Sequence, residues 1–190
     1  MSLERFQKYE VTMGLSPQAN PFSYDIPDGF EFRFYKEGDE KYWSYIQWKS
    51  GQFASNDEAK KSFEDTFGSV KSLLSDRMVF AINEKGNTVG TVTAWEGTGI
   101  DKDHGCLYRL AVLPEYQNKG IGQALISYIL PMLKEKYEHV FLTTIFRNWL
   151  AVSIFFKVGF VPRIGTQDDR DVWTAVLETI VGSGKKEDKE

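Results

Sequence analysis

The sequence is poor in the residues that build disulfides and metal sites, since its 190 residues include one cysteine and two histidines. One cysteine excludes an internal disulfide and fits a reducing compartment. These three residues are also too few for a usual zinc site, so we expect no bound metal. No apolar stretch approaches the roughly 20 residues of a membrane-spanning helix, and the first residues lack a signal-peptide pattern. We therefore expect a cytoplasmic protein that does not enter the membrane.

Basic segments are also missing. Lysine and arginine together number 23, against 27 aspartates and glutamates, which gives a net charge of −4 and an isoelectric point near 5.4. Nucleic acid is therefore not an expected partner. The mild acidity would suit a cationic substrate, but it is common among proteins and decides little.

What the sequence does contain is the composition of a globular protein. Hydrophobic residues make up 42% and charged residues 26% of the chain, as in soluble domains. Aromatic residues are abundant, with 14 phenylalanines, 9 tyrosines and 5 tryptophans. The length predicts one domain with a single sizeable core.

The hydrophobic pattern divides the chain into three segments. Residues 1–29 are predicted to be an irregular arm or lead-in, because three prolines and a glycine interrupt its second half. Residues 30–182 form the predicted domain, and residues 183–190 are a charged tail that we expect to be disordered. Strands are predicted at residues 30–35, 78–82, 88–95, 107–113, 140–145 and 171–181, with another beginning at residue 160. The first helix is predicted to have Asp39 as its cap, and the second to have Asn56 or Asp57. Two further helices are predicted to begin at Ile121 and after Asn148.

A strand, a glycine-containing turn and a helix follow one another in the middle of the chain. Residues 107–113 are mostly apolar with one charge, Arg109, which is typical of a mostly buried strand that Pro114 ends. A polar turn then leads through Lys-Gly-Ile-Gly into a helix, which we expect Pro131 to kink or end early. The apolar residues of the helix share one face: Ile121, Ala124, Leu125, Tyr128, Ile129, Met132 and Leu133.

The turn before this helix is suited to bind an anion. The first amides of a helix have no internal acceptor, the helix dipole adds positive charge there, and glycines let a phosphate approach. A P-loop is excluded because Lys119 precedes Gly120 and because Gln123 follows the second glycine. A dinucleotide fingerprint is excluded because Leu125 stands where a third small residue is needed. At this point an ordinary strand–turn–helix remains an equally good interpretation.

The pattern that remains is Gln117-x-x-Gly120-x-Gly122, with Leu-Ala-Val upstream at residues 110–112. It resembles the acetyl-CoA pyrophosphate loop of the GNAT N-acetyltransferase superfamily. A second motif, Asn-x-x-Ala from residue 148 followed by Phe-Phe-Lys-Val-Gly-Phe, is similar to the family's Asn-x-x-Ala…Tyr-x-Lys-x-Gly-Phe segment. Two motifs in the right order are more specific than either alone.

The resemblance covers about residues 30–181 and implies a fold. That fold is an α/β (α+β) arrangement with a mixed, mainly antiparallel sheet, a central parallel pair of splayed strands, and flanking helices. The resemblance also implies acetyl-CoA as cosubstrate and direct attack by an amine acceptor. Dimers are frequent in the family, so a homodimer is one expectation for assembly.

The resemblance implies a set of residues that bind acetyl-CoA. The pyrophosphate would lie on the amides of the glycine turn, and the pantetheine arm would run along the strand before it. A backbone amide near Val112 would polarise the thioester carbonyl. The implied cofactor-binding residues are Leu110, Ala111, Val112, Gln117, Asn118, Lys119, Gly120, Ile121, Gly122, Gln123 and Asn148. Asn148 is also predicted to cap its helix, and one side chain can hardly satisfy both demands.

The sequence departs from the family where a proton donor is expected. Many members carry a tyrosine four residues before the glycine of the second motif, and here that residue is Phe155. Tyr108, predicted to share a strand face with Leu110 and Val112, is a candidate acid, with simple packing as the alternative. A thiolate is also a tolerable leaving group without an acid, because an ordinary thiol pKa is about 8.5.

The general base is equally open. His104, at the start of the strand, titrates in the useful range and is the better candidate, although a lone histidine at a loop edge is often only solvated. Glu96 is a weaker alternative. Cys106 is expected to be buried rather than nucleophilic, since the family transfers the acetyl group directly.

Two functional classes follow. The first is an acetyl-CoA-dependent N-acetyltransferase acting on a primary amine of an unidentified small molecule, peptide or protein. The alternative is a catalytically weak CoA-binding sensor or interaction module, which Phe155 keeps open. Four aromatic residues either line the acceptor pocket or pack in the core: Trp43, Trp48, Phe53 and Trp95.

Overall fold

The computed structural model describes residues 6, 9–15, 20–97 and 103–187, with side chains up to residue 182. These residues contain seven strands: β1 (Glu10–Leu15), β2 (Phe30–Phe34), β3 (Met78–Asn83), β4 (Thr88–Glu96), β5 (Gly105–Val112), β6 (Val140–Ile145) and β7 (Val161–Pro162). The helices are α1 (Glu40–Lys49), α2 (Asn56–Phe67), α3 (Ile121–Lys136), α4 (Trp149–Val158) and α5 (Gln167–Glu187). The chain divides into two compact units, Ser23–Glu138 and the remainder.

The unit Ser23–Glu138 is built on an antiparallel sheet in the order β2-β3-β4-β5. Helices cover both faces of this sheet. Phe67 of α2 packs on Trp95 with ring centroids 5.1 Å apart. A side chain on Gly90 would instead come within 3.2 Å of Leu125 of α3. Since Gly90 and Trp95 point to opposite faces of β4, α2 and α3 lie on opposite sides of the sheet.

The core between the first two helices and the sheet is aromatic. Trp43 lies against Phe63 and Phe67, with centroids 5.3 and 5.9 Å apart, and all three are at most 1% exposed. Each such side chain stabilises the fold by about 2–3 kcal/mol through burial. Trp43 is therefore a core residue rather than part of an acceptor pocket, whereas Phe53, Trp48 and Trp95 keep partial exposure.

Two predicted helix caps are replaced by other contacts. The side chain of Ser55, not of Asn56 or Asp57, caps α2 by accepting from the Glu58 amide at 3.1 Å. Asp39 holds the N-cap position of α1 without a side-chain capping bond. Its carboxylate instead accepts hydrogen bonds from both terminal nitrogens of the Arg33 guanidinium, at 2.6 and 3.0 Å. Asp39 therefore ties β2 to the start of α1.

The second unit contains a strand in the segment predicted to be irregular. β1 pairs antiparallel with both β6 and β7, and Val11, Met13 and Leu15 are buried. Gly14 allows close packing, because a Cβ there would lie 2.8 Å from the Phe141 ring. The prediction of an irregular arm is therefore wrong for Glu10–Leu15, whose isolated pattern is weak and whose neighbours supply the pairing.

The strand predicted at residues 171–181 is wrong, since α5 occupies that segment and continues into the predicted tail. Valine and threonine favoured a strand, but the buried residues Val172, Trp173, Ala175 and Val176 have helical spacing. The side chain of Thr166 accepts from the Asp169 amide at 3.1 Å. The Asp169 carboxylate accepts from the Thr166 amide at 2.8 Å. This reciprocal capping box starts the helix.

Helix α3 does not end early at Pro131 but runs on to Lys136. The remaining strands and helices lie where the sequence predicted them, and Gly159 ends α4 with φ at 113°. Within the described residues, none of the helices combines the length and the apolar character needed to cross a bilayer.

Candidate functional site

A β-bulge interrupts β5 next to the predicted catalytic residues. Tyr108 lies opposite Thr93, and Ala111 lies opposite Thr91, so two residues of β5 share the place opposite Val92. The first of them, Arg109, has φ at 54°. A side-chain-bearing residue in this left-handed region costs roughly 1–2 kcal/mol. The surrounding structure must therefore hold the bulge in place.

Helix α1 holds the bulge directly. The Gln47 amide nitrogen donates to the Arg109 carbonyl at 2.7 Å, and Gln47 is fully buried. Because a buried carbonyl without a donor is costly, this bond stabilises the unusual backbone. The sequence did not indicate this role of Gln47, since nothing in a helical pattern marks a glutamine as a partner of a distant strand.

The bulge corrects the predicted face of Tyr108. Residues directly opposite each other share a face, and Thr91 and Thr93 share one because they lie two apart on β4. Tyr108 therefore shares its face with Ala111, on the side of α2. Val112, opposite Gly90, points to the α3 side. The prediction that Tyr108 shares a face with Leu110 and Val112 assumed unbroken alternation and is wrong.

Tyr108 is half-buried and contacts an aromatic ring and a guanidinium. Its ring meets the edge of Phe67 with centroids 6.1 Å apart, and the Arg109 guanidinium lies 5.2 Å from the ring centre. Its hydroxyl has no hydrogen-bond partner among the residues that the structure describes. The hydroxyl can therefore donate a proton to a ligand without breaking an existing bond.

The other acid–base candidates lie away from Tyr108. His104 directly precedes β5, and its carbonyl accepts from the Gly97 amide at 2.9 Å. Four residues of extended chain place it about 13 Å from Tyr108. Glu96 lies opposite Gly105 on the α3 face, where its carboxylate accepts from Tyr137 at 3.4 Å. The structure does not bring these groups together.

Cys106 lies opposite Trp95 on the face of Tyr108. Burial raises the pKa of its thiol to about 11. At pH 8 such a thiol is only about 0.1% thiolate, against roughly a quarter for an ordinary cysteine.

We expect iodoacetamide to alkylate the folded protein at least about 100-fold more slowly than the urea-unfolded protein at pH 8. Equal rates, measured by mass spectrometry, would contradict a raised thiol pKa.

The glycine turn has the backbone of an anion site. Asn118 and Gly120 are both left-handed, with φ at 59° and 80°. The Ala124 amide donates to the Gly120 carbonyl at 3.0 Å, which is the first bond of α3. The amides of residues 121–123 therefore have no acceptor within the helix. Asparagine tolerates the left-handed region better than most residues, which fits its place here.

The side chains of the turn organise it from both ends. The Gln117 amide nitrogen donates to the Val112 carbonyl at 3.0 Å and so fastens the turn to the end of β5. The Lys119 ammonium lies 5.1 Å from the centre of the Tyr116 ring. The Tyr116 hydroxyl in turn accepts from the Asn83 side chain at 2.9 Å. A cation thus stands directly before Gly120 in the turn.

The second motif is placed on α4 of the other unit. Asn148 holds the N-cap position, but its side chain makes no capping bond and instead contacts the Thr144 hydroxyl at 3.4 Å. The predicted capping bond is therefore wrong. Phe155 is buried at 5% exposure, with its ring 6.1 Å from that of Phe160. No group of three or more His, Cys, Asp or Glu side chains that could hold a metal occurs among the described residues.

Comparison with solved structures supports the fold. A GCN5-related N-acetyltransferase from Sphaerobacter thermophilus matches 81% of this chain and 48% of its own, with a TM-score of 0.62 and 19% identity. A GNAT-family acetyltransferase from Colwellia psychrerythraea matches 80% of this chain and 52% of its own, with a TM-score of 0.61 and 8% identity. The predicted α/β fold with a mixed, mainly antiparallel sheet is confirmed.

Sequence comparison identifies the family. The [ribosomal protein bS18]-alanine N-acetyltransferase of Escherichia coli K12 is 28% identical over 72 residues, which is 37% of this chain. The chain spans about half the length of this curated relative, 49%. The sequence model of the acetyltransferase (GNAT) family matches residues 30–160. The chain therefore belongs to the GNAT acetyltransferase family.

Proposed function

We propose that this protein is an N-acetyltransferase that transfers the acetyl group of acetyl-CoA to a primary amine. The observation that carries the proposal is the turn before α3, where Asn118 and Gly120 are left-handed and the next three amides lack helical acceptors. In a GNAT chain this arrangement suits a pyrophosphate, because amides and helix dipole both favour negative charge.

The remaining predicted contacts to acetyl-CoA are part of the proposal. The side-chain amide of Gln117 donates to the Val112 carbonyl and so supports the turn, and it is not proposed as a separate contact to the cofactor. The pantetheine arm is proposed to run along residues 110–112, with an amide near Val112 donating to the thioester carbonyl. Asn148 is proposed as a further contact, because its side chain is not used for capping.

The proposed reaction joins the amine nitrogen to the acetyl carbon and breaks the carbon–sulfur bond. The acceptor must first lose a proton, since an ordinary amine has a pKa of about 10. His104 is the proposed base, and because it lies several residues away along the strand, the proton would have to reach it through a chain of water molecules. Tyr108 is the proposed acid, which protonates the departing thiolate. Its hydroxyl is available because no described residue binds it.

Acetyl-CoA binding and CoA release test the proposal separately. Calorimetry should show one acetyl-CoA per chain, and a thiol reagent should detect CoA release with some member of an amine panel. The panel includes peptides with N-terminal alanine, because the curated relative is named for an alanine acceptor. A protein that is neither bound nor stabilised by acetyl-CoA would overturn the proposal.

A CoA-binding module with little catalysis is the second candidate. The buried Phe155 favours it, because that position supplies no proton. The module predicts acetyl-CoA binding without CoA release for any amine in the panel. Turnover of a single amine above the rate of hydrolysis excludes the module.

Tyr108→Phe tests the proposed acid. We expect kcat to fall about 100-fold, within the range of general acid catalysis, while the Kd for acetyl-CoA stays unchanged. Steady-state kinetics and calorimetry measure the two quantities. Tyr128→Phe is the matched control, since Tyr128 of α3 packs on Phe32 of β2, with ring centroids 5.6 Å apart, rather than near Tyr108, and its loss of a hydroxyl should leave kcat unchanged. A wild-type kcat for Tyr108→Phe would refute the assignment.

A further inference from the structure

We propose that Arg109 binds a carboxylate of the acceptor, so that the acceptor is an amine that also carries a carboxylate group. The inference rests on the proposed function and names the substrate class of the same site. It starts from the position of Arg109, which is the first residue of the bulge and the neighbour of the proposed acid Tyr108.

The backbone of Arg109 is fixed in an unfavourable conformation. Its φ of 54° is one of two positive values among the described residues other than glycine. Gln47 holds the carbonyl of Arg109 at 2.7 Å. Gln47 is fully buried and therefore acts as a positioning residue rather than as a contact to the acceptor. Strain held in this way is typical of sites where a side chain must be aimed.

The guanidinium of Arg109 is also fixed. It lies 4.9 Å from the centre of the Phe53 ring and 5.2 Å from the centre of the Tyr108 ring. Phe53 belongs to the loop between α1 and α2, so a loop residue and a strand residue hold the same cation. Stacking on aromatic rings leaves the N–H groups at the edge of the guanidinium free to donate.

Arg109 differs from two other arginines of the described residues, which have a carboxylate partner. Arg33 is paired with Asp39 at 2.6 Å, and Arg77 lies 4.0 Å from Glu96. For Arg109, no carboxylate lies within 4.0 Å among the residues that the structure describes. The planar fork of a guanidinium matches a carboxylate in a bidentate pair, which the pre-ordered side chain would form with little further loss of entropy.

The placement suits an acceptor. Arg109 is half-exposed and immediately precedes residues 110–112, along which the thioester is proposed to lie. A carboxylate a few covalent bonds away from the reacting amine would then be close enough to contact the guanidinium. The net charge of −4 repels anions at long range, so recognition depends on this local cation.

The test measures kcat/KM with saturating acetyl-CoA for amines that differ only in one carboxylate. Suitable pairs are the C-terminally amidated dipeptides Ala-Asp-NH2 against Ala-Asn-NH2, and 4-aminobutyrate against butylamine. We expect the wild type to prefer the carboxylate-bearing member by about tenfold or more, the value of one charge-assisted pair. Arg109→Gln should abolish this preference, and Arg109→Lys should retain part of it.

Arg77→Gln is the matched control, because Arg77 also stacks on an aromatic ring, with its guanidinium 5.3 Å from Trp95. It should keep the wild-type preference. The wild-type preference should also shrink when NaCl is raised, which tests the ionic contact without any substitution. This salt series decides the matter if Arg109→Gln does not fold.

The outcomes separate the two proposals. Acetylation of amines without a carboxylate preference, a preference that survives in Arg109→Gln, or a preference insensitive to salt overturns the role of Arg109 alone. Absence of both acetyl-CoA binding and amine acetylation overturns the proposed function together with this inference. A preference that is lost in Arg109→Gln and kept in Arg77→Gln supports it.

Discussion

Gly120→Asp is expected to weaken acetyl-CoA binding by about 10- to 100-fold relative to Gly120→Asn. The two variants have the same shape, and both residues tolerate the left-handed backbone with φ at 80°. Only aspartate adds a negative charge where the pyrophosphate is proposed to lie. Two like charges about 4 Å apart repel by about 1–4 kcal/mol near a protein surface, and each 1.4 kcal/mol is tenfold in Kd.

Calorimetry with acetyl-CoA at two salt concentrations measures this effect. The difference between the variants should narrow at high salt, because the repulsion is screened. A Cβ at Gly120 would meet only Pro27, at 3.6 Å, so neither variant creates a clash. Equal Kd values for the aspartate and asparagine variants would place the pyrophosphate elsewhere.

Asp39→Asn is expected to reduce the free energy of unfolding by about 3 kcal/mol and Tm by about 6–12 °C. Asp39 is only 5% exposed. Its carboxylate accepts hydrogen bonds from Arg33 and from the Lys36 amide, the latter at 2.7 Å. Its hydrogen bond raises the pKa of the Arg33 guanidinium, which therefore stays charged. Asparagine would leave that cation partly buried without a counter-charge.

Thermal and urea unfolding measure the change. Asp65→Asn is the control, because Asp65 pairs with Lys61 on the exposed side of α2. An exposed helix pair contributes only about 0.3–0.5 kcal/mol. Similar decreases in the free energy of unfolding for the two variants would show that the pair between β2 and α1 stabilises the protein no more than an exposed pair does.

Local pattern was sufficient for most of the chain. Strands β2, β3 and β4 and the start of α3 follow from the pattern of neighbouring residues, and the structure places all four where the sequence predicted them. The turn before α3 was likewise readable, because the left-handed Gly120 follows from its residue type.

The strand β1 was missed because its formation depends on pairing with distant residues. The strand β1 exists because β6 and β7 lie on either side of it, and its own sequence says little. Helix α5 was misjudged from its β-branched content, although the capping box at Thr166 and Asp169 was a local signal that could have found it.

The candidate site was predictable in part for the same reason. Its glycine turn is local, whereas the bulge at Arg109 depends on the register with β4 and on a bond from Gln47, 62 positions away in sequence. One extra residue in a strand changes which side chains share a face. Alternation alone could therefore not predict that Tyr108 and Ala111 share a face of β5.

The bulge also gives β5 one residue more than its sheet requires. In a strand shortened by that residue, Tyr108 and Ala111 would still lie opposite Thr93 and Thr91, and every other cross-strand partner would be unchanged. The shorter strand would therefore fit the same sheet, and it would not contain the strained backbone. In the proposed enzyme, the surplus residue aims Arg109, so the length of β5 is a point at which stability and substrate recognition make opposite demands.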